Sequence, residues 1–321
     1  MFSKDLLSLP TDVVEHIFKR TPIYDLINFS LSSDVANEAV SQFNYLKTPR
    51  LEVTVKRQND YDFFVEMSVS DSSGVWTIEM KDRKRPRIME RIGDFSVVIQ
   101  KSTSSENLTI NTVDILKTTS SLVHHIEEIF KSIDLTITFD SVDINREIAQ
   151  WKLISEAKKI KMIDSSVHYH SNFQKLLNPE QELVLDGGRV VLNEKLSFKS
   201  IEINLNCLRF HVFNAEHLIF HDWDHSEDEA FKYIDMWKNG ELERFKSFQF
   251  VNGYPQWMYY GFGATEWTEG ERFYETEKGE KIDCSQGIDW IRGDGRVGTL
   301  VLTEINEDQM ERRTARFLVW P

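Results

Sequence analysis

His221-Asp-Trp-Asp-His225 is the stretch of this 321-residue chain with the strongest metal-ligand character. Imidazole nitrogens and carboxylate oxygens hold a divalent cation when they are deprotonated and converge on one point. A metal-dependent hydrolase built on His221, Asp222 and His225 is therefore one reading of the sequence. The segment directly follows an apolar run, Leu218–Phe220, and precedes a helix-cap pattern, and in that setting Asp and His are ordinary loop residues. His168-Tyr-His170 alternates as in a strand, which places both imidazoles on one face without a third ligand nearby. Gly261-Phe-Gly263 and Gly293-Asp-Gly295-Arg-Val-Gly298 fit no phosphate loop, and no Gly-x-Ser-x-Gly nucleophile turn occurs. Glu227, Asp228 and Glu229 are accounted for by solvation and a helix dipole. The residues point to no catalytic group, no metal and no cofactor, so the chemistry expected of this chain is non-covalent recognition.

Composition bounds that recognition. Lys and Arg number 38 against 52 Asp and Glu, a net charge of −14. Such a balance repels phosphates and disfavours nucleic acid. The basic run Lys81-Asp-Arg-Lys-Arg-Pro-Arg87 reads as a solvated loop. The two cysteines, Cys207 and Cys284, make no disulfide framework and no zinc spacing. No apolar run approaches the roughly 20 residues that span a bilayer, and the start of the chain lacks a leader pattern. Cytoplasm, nucleus or both are the expected location, with no membrane partner.

The elements follow from periodicity. Residues 1–48 look helical. Pro10 suits the first helical position, and Val13, Val14, Ile17 and Phe18 form an apolar stripe. Asp25 opens a second helix with Leu26 and Phe29 on one face. Asp34–Tyr45 forms a third, through Val35, Ala39, Val40 and Phe43. Three short amphipathic helices have little core of their own and need a neighbour or a partner. After Lys47-Thr-Pro49 the pattern turns to strands at 51–55, 63–69 and 75–80, with Ser72-Ser-Gly74 as a turn between the latter two. From about residue 95, short apolar runs alternate irregularly with helical segments at 122–130, 145–159 and 227–237. The expectation for 49–321 is a strand-rich α/β domain, either a degenerate leucine-rich-repeat-like arc or an open sheet covered by helices on one side, with antiparallel strands at its ends. Ser226–Glu229 has capping-box spacing and Gly240 sits at a left-handed C-cap position. Asp294-Gly295 between two apolar runs predicts a hairpin. Aromatic residues crowd the last third of the chain. Tyr254, Trp257, Tyr259 and Tyr260, beside Pro255 and two glycines, are the candidates for a partner-facing loop.

Leu6-Leu-Ser-Leu-Pro-Thr-Asp-Val-Val-Glu-His-Ile-Phe18, followed by Tyr24-Asp-Leu-Ile-Asn-Phe-Ser-Leu31, resembles an F-box. Ser32-Ser-Asp-Val-Ala36 departs from the pattern in lacking the basic and aromatic residues common at its end. Trp237-Lys-Asn-Gly240 with Leu242-Glu-Arg-Phe245 is similar to the Trp-x-x-Gly…Leu signature of the type-2 F-box-associated domain of nematode proteins. Asp289-Trp-Ile-Arg-Gly-Asp-Gly295 and Phe317-Leu-Val-Trp-Pro321 extend that likeness to the end of the chain. The resemblance implies an F-box at 1–48 and a substrate-binding domain at 49–321. It implies a non-catalytic substrate receptor that reaches a cullin ubiquitin ligase through a Skp-type adaptor and holds a target protein. The adaptor contacts it implies are Leu9, Pro10, Val13, Val14, Ile17, Leu26, Phe29 and Leu31.

Overall fold

The computed structural model describes residues 4–42, 48–59, 62–70, 72, 74–80, 89–92, 95–101, 107–167, 170–187, 196–204, 213–221, 228–251, 264–267, 269–277, 279–307 and 310–321. The chain forms two compact units, Met1–Ile160 and Lys161–Pro321.

The first unit opens with three helices, α1 (Thr11–Arg20), α2 (Ile23–Ser30) and α3 (Asp34–Gln42). Pro10 and Pro22 each stand one residue before a helix, with ψ of 142° and 143°, so the chain enters both helices from extended backbone. Then come β1 (Arg50–Arg57), β2 (Phe63–Val69), β3 (Val75–Met80), β4 (Met89–Ile92), β5 (Phe95–Lys101), β6 (Leu108–Thr112), the long helix α4 (Ile115–Phe130), β7 (Asp134–Asp140), the short β8 (Asp143–Ile144) and one turn of helix, α5 (Leu153–Glu156). In space the strands run β7-β1-β2-β3-β6-β5-β4. β1–β2–β3 is an antiparallel meander, and β7 and β6 join it in parallel through β1 and β3. Strict alternation buries Leu51, Val53 and Val55 of β1 and Val65, Met67 and Val69 of β2. Helix α4 is capped by the Asp114 carboxylate, which accepts from the Lys117 N–H at 3.0 Å, and it buries Leu122, Val123, Ile126 and Ile129.

The segment expected to be a helix at 145–159 is instead a 3₁₀ turn at Ile148–Gln150 and the single turn α5, with extended backbone at Trp151 and Ala157. The Trp151 indole N–H donates to Ser120 Oγ on α4 at 2.8 Å, and this tether, with Ile148, Ala149, Leu153 and Ile154 buried, fixes a looped path that a continuous helix could not follow. In α3 the interior takes Ala36 and Val40, whereas Val35 is 63% exposed.

The division between units falls inside β9 (Lys159–Ile163). The second unit continues with the short β10 (Ser166–Val167), α6 (His170–Leu176), β11 (Glu182–Asp186), β12 (Leu196–Asn204), β13 (Phe213–His221), α7 (Asp228–Lys238), β14 (Ser247–Val251) and β15 (Thr265–Glu266). It ends with β16 (Phe273–Glu275), β17 (Lys281–Asp283), β18 (Ile288–Ile291), β19 (Val297–Glu307) and β20 (Met310–Val319). β11–β12–β13–β14 is a parallel ladder. An antiparallel end, β14–β20–β19–β18–β15, completes it, and β16–β17 forms a separate two-stranded sheet. The described architecture is thus a helical head followed by strand-rich mixed α/β structure, as expected. Asp294-Gly295 does turn a hairpin, closed by the Arg292 N–H donating to the Arg296 carbonyl at 2.9 Å.

Candidate functional site

Helix α1 carries two apolar stripes, each of residues four apart. Val14 and Phe18 turn inward and are 5% and 1% exposed. Val13 lies about 100° round the helix from Val14 and is 40% exposed, Ile17 is half-buried, and Leu9 (42% exposed) and Pro10 extend this second stripe into the entry to the helix. Of the eight residues implied by resemblance, Leu9, Pro10 and Val13 therefore face solvent and Ile17 and Leu31 are partly accessible. Val14, Leu26 and Phe29 are inside, where the Phe18 and Phe29 rings meet edge to face at 5.9 Å.

Helix α2 is bound to the sheet of its own unit. The Tyr24 ring packs on Trp76 of β3 with centroids 4.3 Å apart, and the Trp76 indole N–H donates to Asn28 Oδ1 at 2.8 Å. Tyr24 fills the space beside Gly74 so closely that a Cβ there would overlap its ring. The turn before β3 needs glycine for this contact, a role that the turn pattern does not disclose. On α2's last residue, the Ser30 hydroxyl donates to the Ile27 carbonyl at 2.7 Å, which leaves Oγ to accept from His125 Nε2 on α4 at 2.9 Å. Burial pushes the His125 imidazole below its ordinary pKa, with the Glu128 carboxylate opposing.

In the second unit the two segments that carried the resemblance meet each other. Trp237 and Trp290 are fully buried and both rest edge-on against Phe317, with centroids 5.4 and 5.9 Å away. Helix α7 ends in a Schellman turn: the Gly240 N–H donates to the Trp237 carbonyl at 3.0 Å and the Glu241 N–H to Met236 at 2.9 Å, with Gly240 at φ 77°. A Cβ on Gly240 would come within 3.8 Å of Arg292 Nη2, so the Gly240 cap and the β18–β19 hairpin are neighbours. The aromatic anchors of these motifs build the interior, while Asn239, Ile291 and Asp294 between them stay exposed.

Two polar clusters escaped sequence reasoning, because each joins residues far apart in the chain. Glu216 of β13 receives the Lys246 ammonium at 2.8 Å and the Arg244 guanidinium at 2.7 Å, which hold its carboxyl down at about 2. Glu216, His217 and Glu277 bring one ligand atom each within 4.8 Å of one another. Lys246 Nζ already binds both carboxylates, with Glu277 at 2.5 Å, and His217 Nδ1 is bonded to Ser247 Oγ at 2.8 Å, so the pocket of negative charge is neutralised by the protein's own ammonium. In the other cluster the Arg272 guanidinium lies between the rings of Trp267 and Trp320, 4.3 and 4.1 Å from their centroids, and pairs with Asp289 at 2.7 Å. Arg272 and Tyr274 two residues apart, with Trp267 shortly before them, were the available signal. His221 Nε2 is bonded to Glu202 Oε1 at 2.9 Å. Asp222, Asp224, His225, His168, Cys207 and the loop candidates Tyr254, Trp257, Tyr259 and Tyr260 lie outside the described residues.

Against this geometry, comparison with known families finds an F-box domain at residues 6–48, covering α1–α3. No curated protein and no solved structure matches the chain. Among the described residues no helix is long and apolar enough to cross a membrane.

Proposed function

We propose that the chain is the substrate receptor of a Skp–cullin–F-box ubiquitin ligase, a non-catalytic subunit. The F-box at 6–48 docks on a Skp-type adaptor and through it a cullin, and residues 49–321 hold the target protein as a type-2 F-box-associated domain. The observation that carries this reading is the outward stripe of Leu9, Pro10, Val13 and Ile17, apolar side chains left in water by a helix whose other stripe is already packed. An apolar stripe at i, i+4 spacing is what a partner's helical groove covers, and burying it on association recovers roughly 25 cal/mol per Å². Val14, Leu26 and Phe29 then support the docking surface from beneath. The expected medium is cytoplasm or nucleus, with target turnover as the output.

The test is capture of a recombinant Skp-type adaptor by the full chain. Leu9→Ala/Pro10→Ala is expected to weaken capture at least about tenfold, which corresponds to about 1.4 kcal/mol, with the thermal midpoint unchanged. Equal capture by the double variant would overturn the docking assignment. Co-purification of cullin and slower turnover of a bound protein on proteasome inhibition distinguish a ligase receptor from a scaffold that only occupies the adaptor.

A further inference from the structure

The β16–β17 sheet has an inner and an outer face. From Glu271 to Glu277 exposure alternates strictly: residues 271, 273, 275 and 277 are exposed, and 272, 274 and 276 are half-buried. The inner set is accounted for. Arg272 is clamped between Trp267 and Trp320, and Tyr274 packs edge-on against Trp320 at 5.3 Å. The outer set presents Phe273, 52% exposed, between Glu271 and Glu275. Neither of these carboxylates has an ion-pair partner among the described residues, unlike Glu277, which is held by Lys246. Across the ladder, Asp283 stands opposite Phe273 and Lys281 opposite Glu275.

The backbone of the same strand is half used. The Cys284 N–H donates to the Arg272 carbonyl at 2.6 Å, and the Thr276 N–H to the Glu280 carbonyl at 2.9 Å. In an antiparallel pair the residues at such bonded positions turn their polar groups toward the partner strand, and those between turn theirs away. Phe273 and Glu275 therefore direct N–H and C=O to the outer edge, where no third strand pairs with the sheet among the described residues. An open edge is a template for another extended chain.

We propose that the outer edge of β16 captures an extended basic segment of a protein by strand addition. Alternate side chains of the added strand lie beside Glu271, Phe273 and Glu275, so the fitting pattern is cation, apolar, cation at every second residue. Both charge and register choose it: two carboxylates with no ion-pair partner among the described residues flank one aromatic ring, and the clamped inner face holds the strand in place. That the captured segment belongs to a ligase target rests on the receptor reading above; the capture itself does not.

The experiment is fluorescence anisotropy of the full chain with the labelled peptide Lys-Thr-Arg-Thr-Val-Thr-Arg-Thr-Lys. Binding is expected, with at least about tenfold loss on raising salt from about 50 to about 500 mM. The same peptide with Glu at every Lys and Arg should not bind. Glu271→Lys/Glu275→Lys should weaken binding at least about tenfold. Glu275→Pro deletes an outward N–H and leaves the bonds to β17 in place, so it should weaken binding more than Glu275→Gln, with thermal midpoints checked for each variant. Equal binding of the acidic peptide, an unaffected double variant, or occupation of the edge by a second copy of the chain in sedimentation overturns the proposal. Adaptor capture measured on the same samples keeps the two readings apart. Retained capture without peptide binding removes only this inference, and the converse removes only the receptor reading.

Discussion

The F-box helices and the Trp237–Trp290 junction both announced themselves as sequence motifs, and the fold treats them in opposite ways. In α1 the motif divides, with Val14 and Phe18 buried and Leu9, Pro10 and Val13 in water. In the second unit its aromatic anchors all go inside, with Trp237, Trp290 and Phe317 at 0% exposure. A recurring residue pattern that stays exposed reports a partner. One that vanishes into the interior reports an architecture, and its surface must be sought elsewhere.

Mutations at the two places should separate these meanings. The largest effect is expected at the buried motif. Trp237→Ala should cost about 3–5 kcal/mol in urea unfolding, since it opens a large cavity against Phe317. A loss below about 1 kcal/mol would break the comparison. Next is Gly74→Ala, which pushes a methyl group into the Tyr24 ring and should cost about 1–3 kcal/mol by overpacking. The neighbouring pair Val13 and Val14 sharpens the contrast on one helix. Val13→Glu should abolish adaptor capture while leaving stability within about 0.5 kcal/mol, and Val14→Ala should lower the unfolding midpoint first. A cost to stability from Val13→Glu equal to that from Val14→Ala would mean the two stripes are not distinct.

The smallest effect concerns pH. Glu216 has its carboxyl depressed to about 2, chiefly by the hydrogen bond from Lys246. A depressed acid adds stability that is fully present above its unfolded value near 4.5 and is lost as pH falls toward 2. Stability attributable to this group should therefore be flat above pH 4.5 and decline below it, and Glu216→Gln should shallow that decline in acid-unfolding curves. An unchanged slope would show that Lys246 and Arg244 do not hold the carboxylate in solution. His125 works in the same direction at higher pH. Its imidazole is depressed by burial, so the unfolded chain takes up the proton first and acid below about 6.5 disfavours the fold.

Much of the helical head was legible because helical periodicity is local: Pro10, Leu26 and Phe29 mark it without reference to the rest of the chain. The Gly240 cap and the Asp294-Gly295 hairpin were legible for the same reason. Which of two adjacent stripes on α1 faces inward was not, since Val13, Val14, Ile17 and Phe18 are all apolar and only the neighbours at Phe29 and beyond decide. Residues 145–159 misled because their apolar spacing suits a helix, while the tether from Trp151 to Ser120 is a contact across 31 positions. The ion cluster around Glu216 and the outer edge of β16 depend on which strands come together, information that periodicity along one segment does not contain. The aromatic crowding of the last third was visible, but its division between a clamp at Trp267 and Trp320 and an exposed ring at Phe273 was not.

The joint of Tyr24, Gly74 and Trp76 bears on how such a chain can be taken apart. Residues 6–48 would not travel alone as a cassette: grafted onto another protein, they would carry Tyr24 with no Trp76 to lie on, Asn28 with no indole to receive and Ser30 with no imidazole donor. A chimaera that keeps the head in working order must take the turn before β3, β3 itself and α4 along with it. Heredity faces the same bookkeeping, because a change in that turn is felt at the helix that follows the outward stripe of α1.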